Sequence, residues 1–569
     1  MLKQMGVNQR VECGTGVTLE RDVACRLSDG AVLRSDHYYA PGDQPCPTLL
    51  MRQPYGRDIA STVVYAHPIW YARHGYNVVI QDVRGRGGSD GSFYPFRHEG
   101  KDGAETIAWL RTRAECNGRI GMYGFSYQGA TQLLAAAEQP QGLECIAPAM
   151  TACDLYRGWF YHNGALRLAS SMGWGLQMLK EDARRLDLRE ASTKLETAWA
   201  SIRMQPTVMP YAHHSAIADP MLPTYVRDWF EHDAPGDYWS SMDLSRTANK
   251  ILIPALHVSG WYDIYLEGSI QGFSLLREQA ATAHARENQY LLAGPWIHLP
   301  WSDGVGDAHL GSEALLDTDA LLLRWLDHWL KDADTFSAEP RVRHFALGSN
   351  QWCESEACCG AAETVLHLHS GGRAESRKGD GTLTPTPSTQ EPPDIFVYDP
   401  EVPVVAPGGP LALSGMYDQT AIESGNNVLV YTSEPLAKPV HIFGAPSVIL
   451  YASTSTPCAD LTAKLVRLTA DRAEFCCIGI ARSTYLFGED YIPDKIHRWA
   501  FKLEPTSYVF AKGDCIRLEI AGCAFPLYDR NPSSLIKPCQ MSQWNWKRST
   551  HTIYHDAAHV SALHLPVIA

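Results

Sequence analysis

The ten residues Gly121-Met-Tyr-Gly-Phe-Ser-Tyr-Gln-Gly-Ala130 constrain this chain more than any other stretch of its 569 residues. An apolar run at 120–125 leads into Gly124, then Ser126, then Gly129, and helical periodicity follows over 128–139. A strand that turns this tightly into a helix pushes the side chain at the apex out of the sheet, above the strand ends. A serine there presents its hydroxyl, and the next backbone N–H, that of Tyr127, sits at the positive end of the helix. The generic form of this turn has glycine two residues after the serine, whereas here Gln128 takes that place and Gly129 follows it. Taken alone, the stretch reads equally well as a serine capping a helix.

The surroundings favour the turn. Apolar runs at 47–51, 77–83, 120–125 and 143–150 are too short for helices and are bounded by Gly, Pro or Asp, the mark of buried parallel strands. Helical periodicity lies between them, as at 101–114 and 128–139, so the pattern predicts a mostly parallel sheet covered on both faces. From 151 to 243 strands give way to amphipathic segments rich in Trp, Met and Arg, such as 165–181 and 188–204, which predict a helical cap over the carboxyl ends of the strands. The strand–helix pattern resumes at 251–260 and 289–295 and closes with a helix at 313–331. Beyond 340, runs at 341–347, 364–369, 394–398, 427–431, 447–453, 461–468, 475–481, 497–503 and 515–521 alternate as strands do and predict a β-sandwich or jelly roll, with 371–393 as a surface loop. The expected organisation is an α/β unit at 1–150 and 244–335, a helical cap at 151–243 and a β-sandwich at 340–569.

A serine hydroxyl becomes a nucleophile when a histidine accepts its proton and a carboxylate fixes the histidine tautomer. On a sheet of this kind the partners follow the serine in the order Asp then His, each on a loop after a strand. Asp263 follows the run at 251–260 and His298 follows that at 289–295, which makes Ser126, Asp263 and His298 the candidate catalytic set. His257 lies inside a strand and reads as a core residue, while Asp303 and His309 fall in the loop beyond His298. The pairs His213–His214 and His367/His369 lack accompanying Cys or carboxylates at ligand spacing, so no catalytic metal is expected. The glycine-rich run at 84–91 fits neither the dinucleotide nor the phosphate-loop spacing.

Gly-x-Ser-Tyr-x-Gly around Ser126 resembles the form used by the cocaine esterase family, which includes X-prolyl dipeptidyl aminopeptidases and α-amino acid ester hydrolases. Further blocks are similar in the same order: Arg52-Gln-Pro-Tyr55-Gly, Asp82-Val-Arg-Gly-Arg-Gly-Gly-Ser89, Gly260-Trp-Tyr-Asp263, Gly294-Pro-Trp-Ile-His298 and Phe525-Pro-Leu-Tyr-Asp-Arg-Asn-Pro532. The resemblance spans essentially the whole chain. It implies an α/β-hydrolase with an inserted helical cap and a C-terminal jelly roll, the same triad, and an oxyanion hole made by the Tyr55 hydroxyl and the Tyr127 amide. Tyr265, Trp159, Phe160 and Trp174 are candidate pocket walls, although helix–helix core is as good a reading for the cap aromatics.

The bulk properties narrow the partners. A formal net charge of -14 without basic runs argues against nucleic-acid binding, and no uninterrupted apolar stretch is long enough to cross a membrane. Fifteen scattered cysteines and a polar stretch at 1–10 suggest reduced thiols and a cytoplasmic location. A homodimer is compatible with all of this. The expected activity is hydrolysis of a small-molecule carboxylic ester or amide without a cofactor. The alternatives are an X-prolyl dipeptidyl aminopeptidase or α-amino acid ester hydrolase, for which Glu267 and Asp154 are candidates to hold a substrate amine although no clear carboxylate cluster is present, an acyltransferase or cyclase with the same triad, and a non-catalytic binding protein.

Overall fold

The computed structural model describes residues 10–12, 16–58, 62–209, 211–240, 243–409, 413–470 and 472–568. Its first sheet has 11 strands: β1 (Arg10–Glu12), β2 (Thr18–Arg26), β3 (Val32–Tyr39), β4 (Cys46–Gln53), β5 (Asn77–Asp82), β6 (Cys116–Phe125), β7 (Leu143–Ala149), β8 (Ala255–Tyr262), β9 (Gln289–Ile297), β10 (Val342–Ala346) and β11 (Gln351–Ser355). They lie in the order β1-β2-β3-β5-β4-β6-β7-β8-β9-β10-β11. From β5 across to β10 every neighbouring pair is parallel, and antiparallel pairs flank this block on both sides. Every residue of β5 and of β8 is buried, as expected where helices cover both faces of a parallel sheet.

Strand order reverses at β4, which has β5 on one side and β6 on the other. Such a reversal opens a crevice at the carboxyl ends of the strands. Tyr55, Ser126, Asp263 and His298 each follow the last residue of β4, β6, β8 and β9 by no more than two positions, so all leave the same edge of the sheet.

The segment between β7 and β8 is mainly helical. Its longest helix, Leu168–Arg185, buries Leu168, Met172, Leu176, Leu179 and Ala183 along one face and places Arg184 and Arg185 at its negative end. A short hairpin, Tyr161–His162 against Ala165–Leu166, precedes it; runs of two residues leave no periodic trace in a sequence. The glycine-rich loop after β5 grips this helix through Arg86, which is wholly buried, 3.0 Å from Asp182 and 3.7 Å over the ring of Phe93.

The C-terminal half is β-rich, with a further 13-stranded arrangement. The run at 341–347, expected to open this half, instead forms β10 and pairs in parallel with β9. Alternation identifies a strand without saying which sheet it joins. The two halves share one core in which Trp261, Tyr262 and Phe345 pack with Phe475, Tyr508 and Leu518. The block Phe525 to Pro532 fastens the β-rich half to the start of the long helix: Leu168 and Ala169 N–H donate to the carbonyls of Leu527 and Pro526, and Leu166 N–H donates to Asp529 Oδ1 at 2.9 Å. Asp529 and Asp460 in turn share the buried Arg482, at 2.9 and 2.8 Å.

Arg482→Met therefore leaves two buried carboxylates without their counter-charge. Removing one partner of such a cluster costs about 3–5 kcal/mol, and the expected result is a clear drop in the midpoint of thermal unfolding. An unchanged midpoint would show that the junction does not depend on this pair.

Candidate active site

Ser126 has φ 61 and ψ −128, in the left-handed half of backbone space that residues with a Cβ rarely occupy. The turn is held from several sides. Ser126 N–H donates to Ala149 O of the neighbouring strand at 2.8 Å, and the N–H groups of Gly129 and Ala130 donate to Ser126 O at 2.9 and 3.2 Å. Gln128, in the position usually taken by glycine, folds its side chain back to accept from Phe125 N–H at 3.2 Å. A Cβ on Gly124 would lie 2.5 Å from that of Gln128, and one on Gly129 would lie 2.8 Å from Thr151. The second glycine therefore stands one residue late because the helix meets β7 there, while Gln128 braces the turn.

Tyr127 is completely buried and anchors the first turn of the helix Tyr127–Ala137. Its hydroxyl donates to Glu99 Oε1 at 2.8 Å and accepts from Phe96 N–H at 3.0 Å, and Glu99 pairs with the fully buried Arg52 at 3.0 Å. Loss of solvent raises the Glu99 carboxyl above its ordinary range, against the pull of Arg52. The side chain is thus a strut, and the backbone N–H is the part of Tyr127 at the helix end.

His298 Nδ1 lies 2.7 Å from Asp263 Oδ1. Asp263 is buried, whereas the His298 side chain remains 22% exposed. Two rings fix the imidazole: Tyr265 meets it edge-on at 5.2 Å and Phe125 lies at 5.4 Å. Trp301 Nε1–H donates to the His298 carbonyl at 3.1 Å. On the opposite side of the crevice the Tyr55 hydroxyl faces Ser126 and Trp174. Loss of solvent pushes this phenol up to about 12, although both contacts act the other way, so it stays a proton donor.

Three of the four expected wall residues adjoin this group. Trp159 stacks on Tyr265 at 4.1 Å and lies 5.6 Å from Trp174, which stacks on Trp229 at 4.9 Å. Phe160 is different: it is wholly buried against Trp229 and Trp239 at 4.6 and 5.2 Å, in the core of the helical insertion. Its neighbour Trp159 faces Tyr265 because successive residues of a helical turn point in different directions. Phe96, which stacks on Tyr127 at 4.7 Å and lies 5.0 Å from Trp159, had no signal in the sequence; its φ of 67 belongs to an irregular loop.

The other candidates have different surroundings. His257 is buried, with Nε2 3.2 Å from Gln289, and His309 is exposed. Glu267 lies 3.7 Å from Arg167 and 3.8 Å from His162, and Asp154 accepts from Arg157 N–H at 3.1 Å. Among the described residues no group of three or more His, Cys, Asp and Glu is arranged to hold a metal, and no helix is long and apolar enough to cross a membrane.

This parallel sheet, with its turn at Ser126 and its helical and β-rich additions, is the α/β-hydrolase fold, and the chain is a serine hydrolase acting on esters or amides. Residues 29–300 match the model of the X-Pro dipeptidyl-peptidase (S15) family, and residues 334–564 match that of the X-Pro dipeptidyl-peptidase C-terminal non-catalytic domain. The chain is 31% identical to cocaine esterase of Rhodococcus sp. (strain MB1 Bresler), over 96% of its own length and 98% of that enzyme's. It belongs to the cocaine esterase family. Among solved structures it is similar to an α-amino acid ester hydrolase (TM-score 0.82, 22% identity, 99% of this chain and 98% of that one). It is also similar to an aminopeptidase of the marine sediment archaeon Thaumarchaeota archaeon (TM-score 0.80, 22% identity, 99% of both chains).

Because the Tyr127 hydroxyl is a strut, Tyr127→Phe is expected to act on stability. Leaving Glu99 and the Phe96 N–H without this partner costs about 1–3 kcal/mol, readable by chemical denaturation, while the folded variant keeps most of its turnover. A variant of normal stability with a collapsed kcat would reverse that assignment.

Proposed function

We propose that Ser126, His298 and Asp263 form the catalytic triad of an esterase for small carboxylic esters with a bulky apolar or aromatic acyl or leaving group. The observation that carries this reading is the 2.7 Å contact between His298 Nδ1 and Asp263, at the edge of the sheet from which Ser126 also emerges. Ser126 Oγ attacks the carbonyl carbon and its proton passes to His298 Nε2. Asp263 holds Nδ1–H and stabilises the imidazolium that forms. The oxyanion accepts hydrogen bonds from Tyr127 N–H and the Tyr55 hydroxyl. As the tetrahedral adduct collapses, His298 returns the proton to the leaving alcohol, and a water activated by the same histidine then frees the acid. No cofactor takes part.

Two features favour an ester over an aminoacyl substrate. Tyr265, two residues beyond Asp263, joins Trp159 and Trp174 in an apolar surface beside His298. The relative that is 31% identical over 96% of the chain is itself named an esterase. A product assay on aryl esters, aminoacyl esters and X-Pro amides tests the reading, with aryl esters expected to be cleaved with the highest kcat/KM. Preference for X-Pro amides would overturn it, and acyl transfer to an added alcohol in place of hydrolysis would identify a transferase.

Ser126→Ala should lower kcat by roughly 10⁴-fold or more while the protein stays folded, and a fluorophosphonate should label Ser126 in the wild type. Asp263→Asn, which leaves His298 in the wrong tautomer, should cost on the order of 10⁴-fold. A silent Asp263→Asn combined with an impaired Asp303→Asn would transfer the role of the acid.

Tyr55→Phe removes one oxyanion donor and almost no volume. The expected loss is about 10² to 10³ in kcat with little change in KM, because the bond strengthens as charge develops. Steady-state kinetics decide, since a tyrosine that only packs would leave kcat intact.

A further inference from the structure

A cluster of charges, built on the buried Arg167 with the partly buried Glu504 and Glu267, adjoins Asp263 and plays no part in the reaction above. Arg167, from the helical insertion, is 2% exposed; its guanidinium lies 3.0 Å from Glu504 Oε1 and 3.7 Å from Glu267 Oε2. Glu504 comes from the β-rich half, just beyond the strand His497–Lys502, and Glu267 from the first turn of the helix Leu266–Gln279. His162 Nε2 lies 3.8 Å from Glu267, and its Nδ1 is 2.8 Å from the Tyr528 hydroxyl. Asp263, Arg167 and Glu504, with Ser414, line one small cavity of about 40 Å³. Among the described residues neither Asp263 Oδ2 nor Arg167 Nε has a hydrogen-bond partner. The rest of the wall is mainly apolar, with Tyr262, Phe475, Ile478 and Leu527, so these charges face one another across a poorly solvated space.

The charges feel one another because little solvent screens them. Loss of solvent raises the Glu504 carboxyl; Arg167 lowers it, and Asp263 adds to the rise. Glu267 is pushed up to about 7 by the same loss of solvent, against Arg167, with Glu504 and Asp154 raising it and Lys502 lowering it. Arg167 and Glu504 thus present Asp263 with a nearly neutral pair when both are ionised: neutralising Glu504 leaves the guanidinium facing it, and removing Arg167 leaves whatever negative charge the two carboxylates keep.

We propose that Arg167 and Glu504 are positioning residues for the hydrolytic reaction, a neutral pair through which the insertion and the β-rich half together set the potential at Asp263. The proposal rests on Asp263 being the partner of His298. Its sign follows directly. With Arg167 gone, the remaining carboxylates favour the imidazolium, and the acid limb of the kcat/KM profile moves to higher pH. With Glu504 neutralised, the bare guanidinium disfavours the imidazolium, and the limb moves to lower pH.

The experiment measures kcat and KM for para-nitrophenyl acetate across the active pH range in full-length Arg167→Met, Glu504→Gln and the double variant. Opposite shifts of roughly half to one unit are expected, with KM nearly unchanged and the double variant close to wild type. Unmoved limbs, shifts in the same direction, or a double variant displaced as far as either single one would overturn the proposal. If Arg167→Met does not fold, the nearly isosteric Glu504→Gln and the charge-neutral double variant decide by the same criteria. An active wild type with unmoved limbs removes this proposal alone, whereas a wild type with no esterase activity removes the reading beneath it.

Discussion

The backbone of Ser126 can keep its φ of 61 only because the structure around it leaves no alternative. A residue with a Cβ pays on the order of 1–3 kcal/mol for such a conformation. Against that cost stand the hydrogen bonds from Ser126 to Ala149 and from Gly129 to Ser126, the brace of Gln128, and the buried chain from Tyr127 through Glu99 to Arg52. These partners come from β7, from β4, from the helix Glu99–Leu110 and from the helix Tyr127–Ala137 that the turn begins. The turn is therefore a consequence of the assembled sheet, and the direction of the serine side chain follows from the turn.

The parallel sheet supplies the second requirement. Four strands that run the same way release four loops at one edge, and Tyr55, Ser126, Asp263 and His298 stand at the start of those four loops. The reversal of strand order at β4 leaves room above that edge, and the helical insertion covers part of it with Trp159 and Trp174. The insertion shares a core with Val83 and Phe93 after β5 and with Tyr127 and Ala130 of the helix after β6. It is tied on one side by the buried pair Arg86–Asp182 and on the other by Asp529, which accepts from Leu166 N–H and pairs with Arg482 within the β-rich half. Buried charges are sensitive to geometry, and here they fix where the aromatic wall stands relative to His298.

The β-rich half is bound into the same structure. It shares a hydrophobic core with the end of β8, and it contributes Glu504 to the charges around Arg167 and Asp263. Its anchoring block, Phe525 to Pro532, meets the first turn of the long helix through main-chain hydrogen bonds, so the insertion is held between the two halves.

Much of this could be read from the sequence, because local patterns report local geometry. The apolar runs at 47–51, 77–83 and 143–150 became β4, β5 and β7 almost unchanged, and the positions of Ser126, Asp263 and His298 after their strands followed from the same alternation. What the sequence could not determine depends on contacts between distant residues. Alternation at 341–347 marks a strand, but only pairing with β9 assigns it to the first sheet. Two adjacent aromatics, Trp159 and Phe160, are equivalent in any sequence pattern, and only packing turns one towards Tyr265 and the other into the core. Glu267 reads as a free carboxylate four residues after Asp263, and only the fold brings Arg167 and His162 to it. The sequence by itself determined the succession of strands and helices and the places of Ser126, Asp263 and His298 directly after strands, since these follow from spacing along the chain. The tertiary structure decided which charges are paired and which rings face the crevice, since burial and Coulomb interaction depend on distance through space.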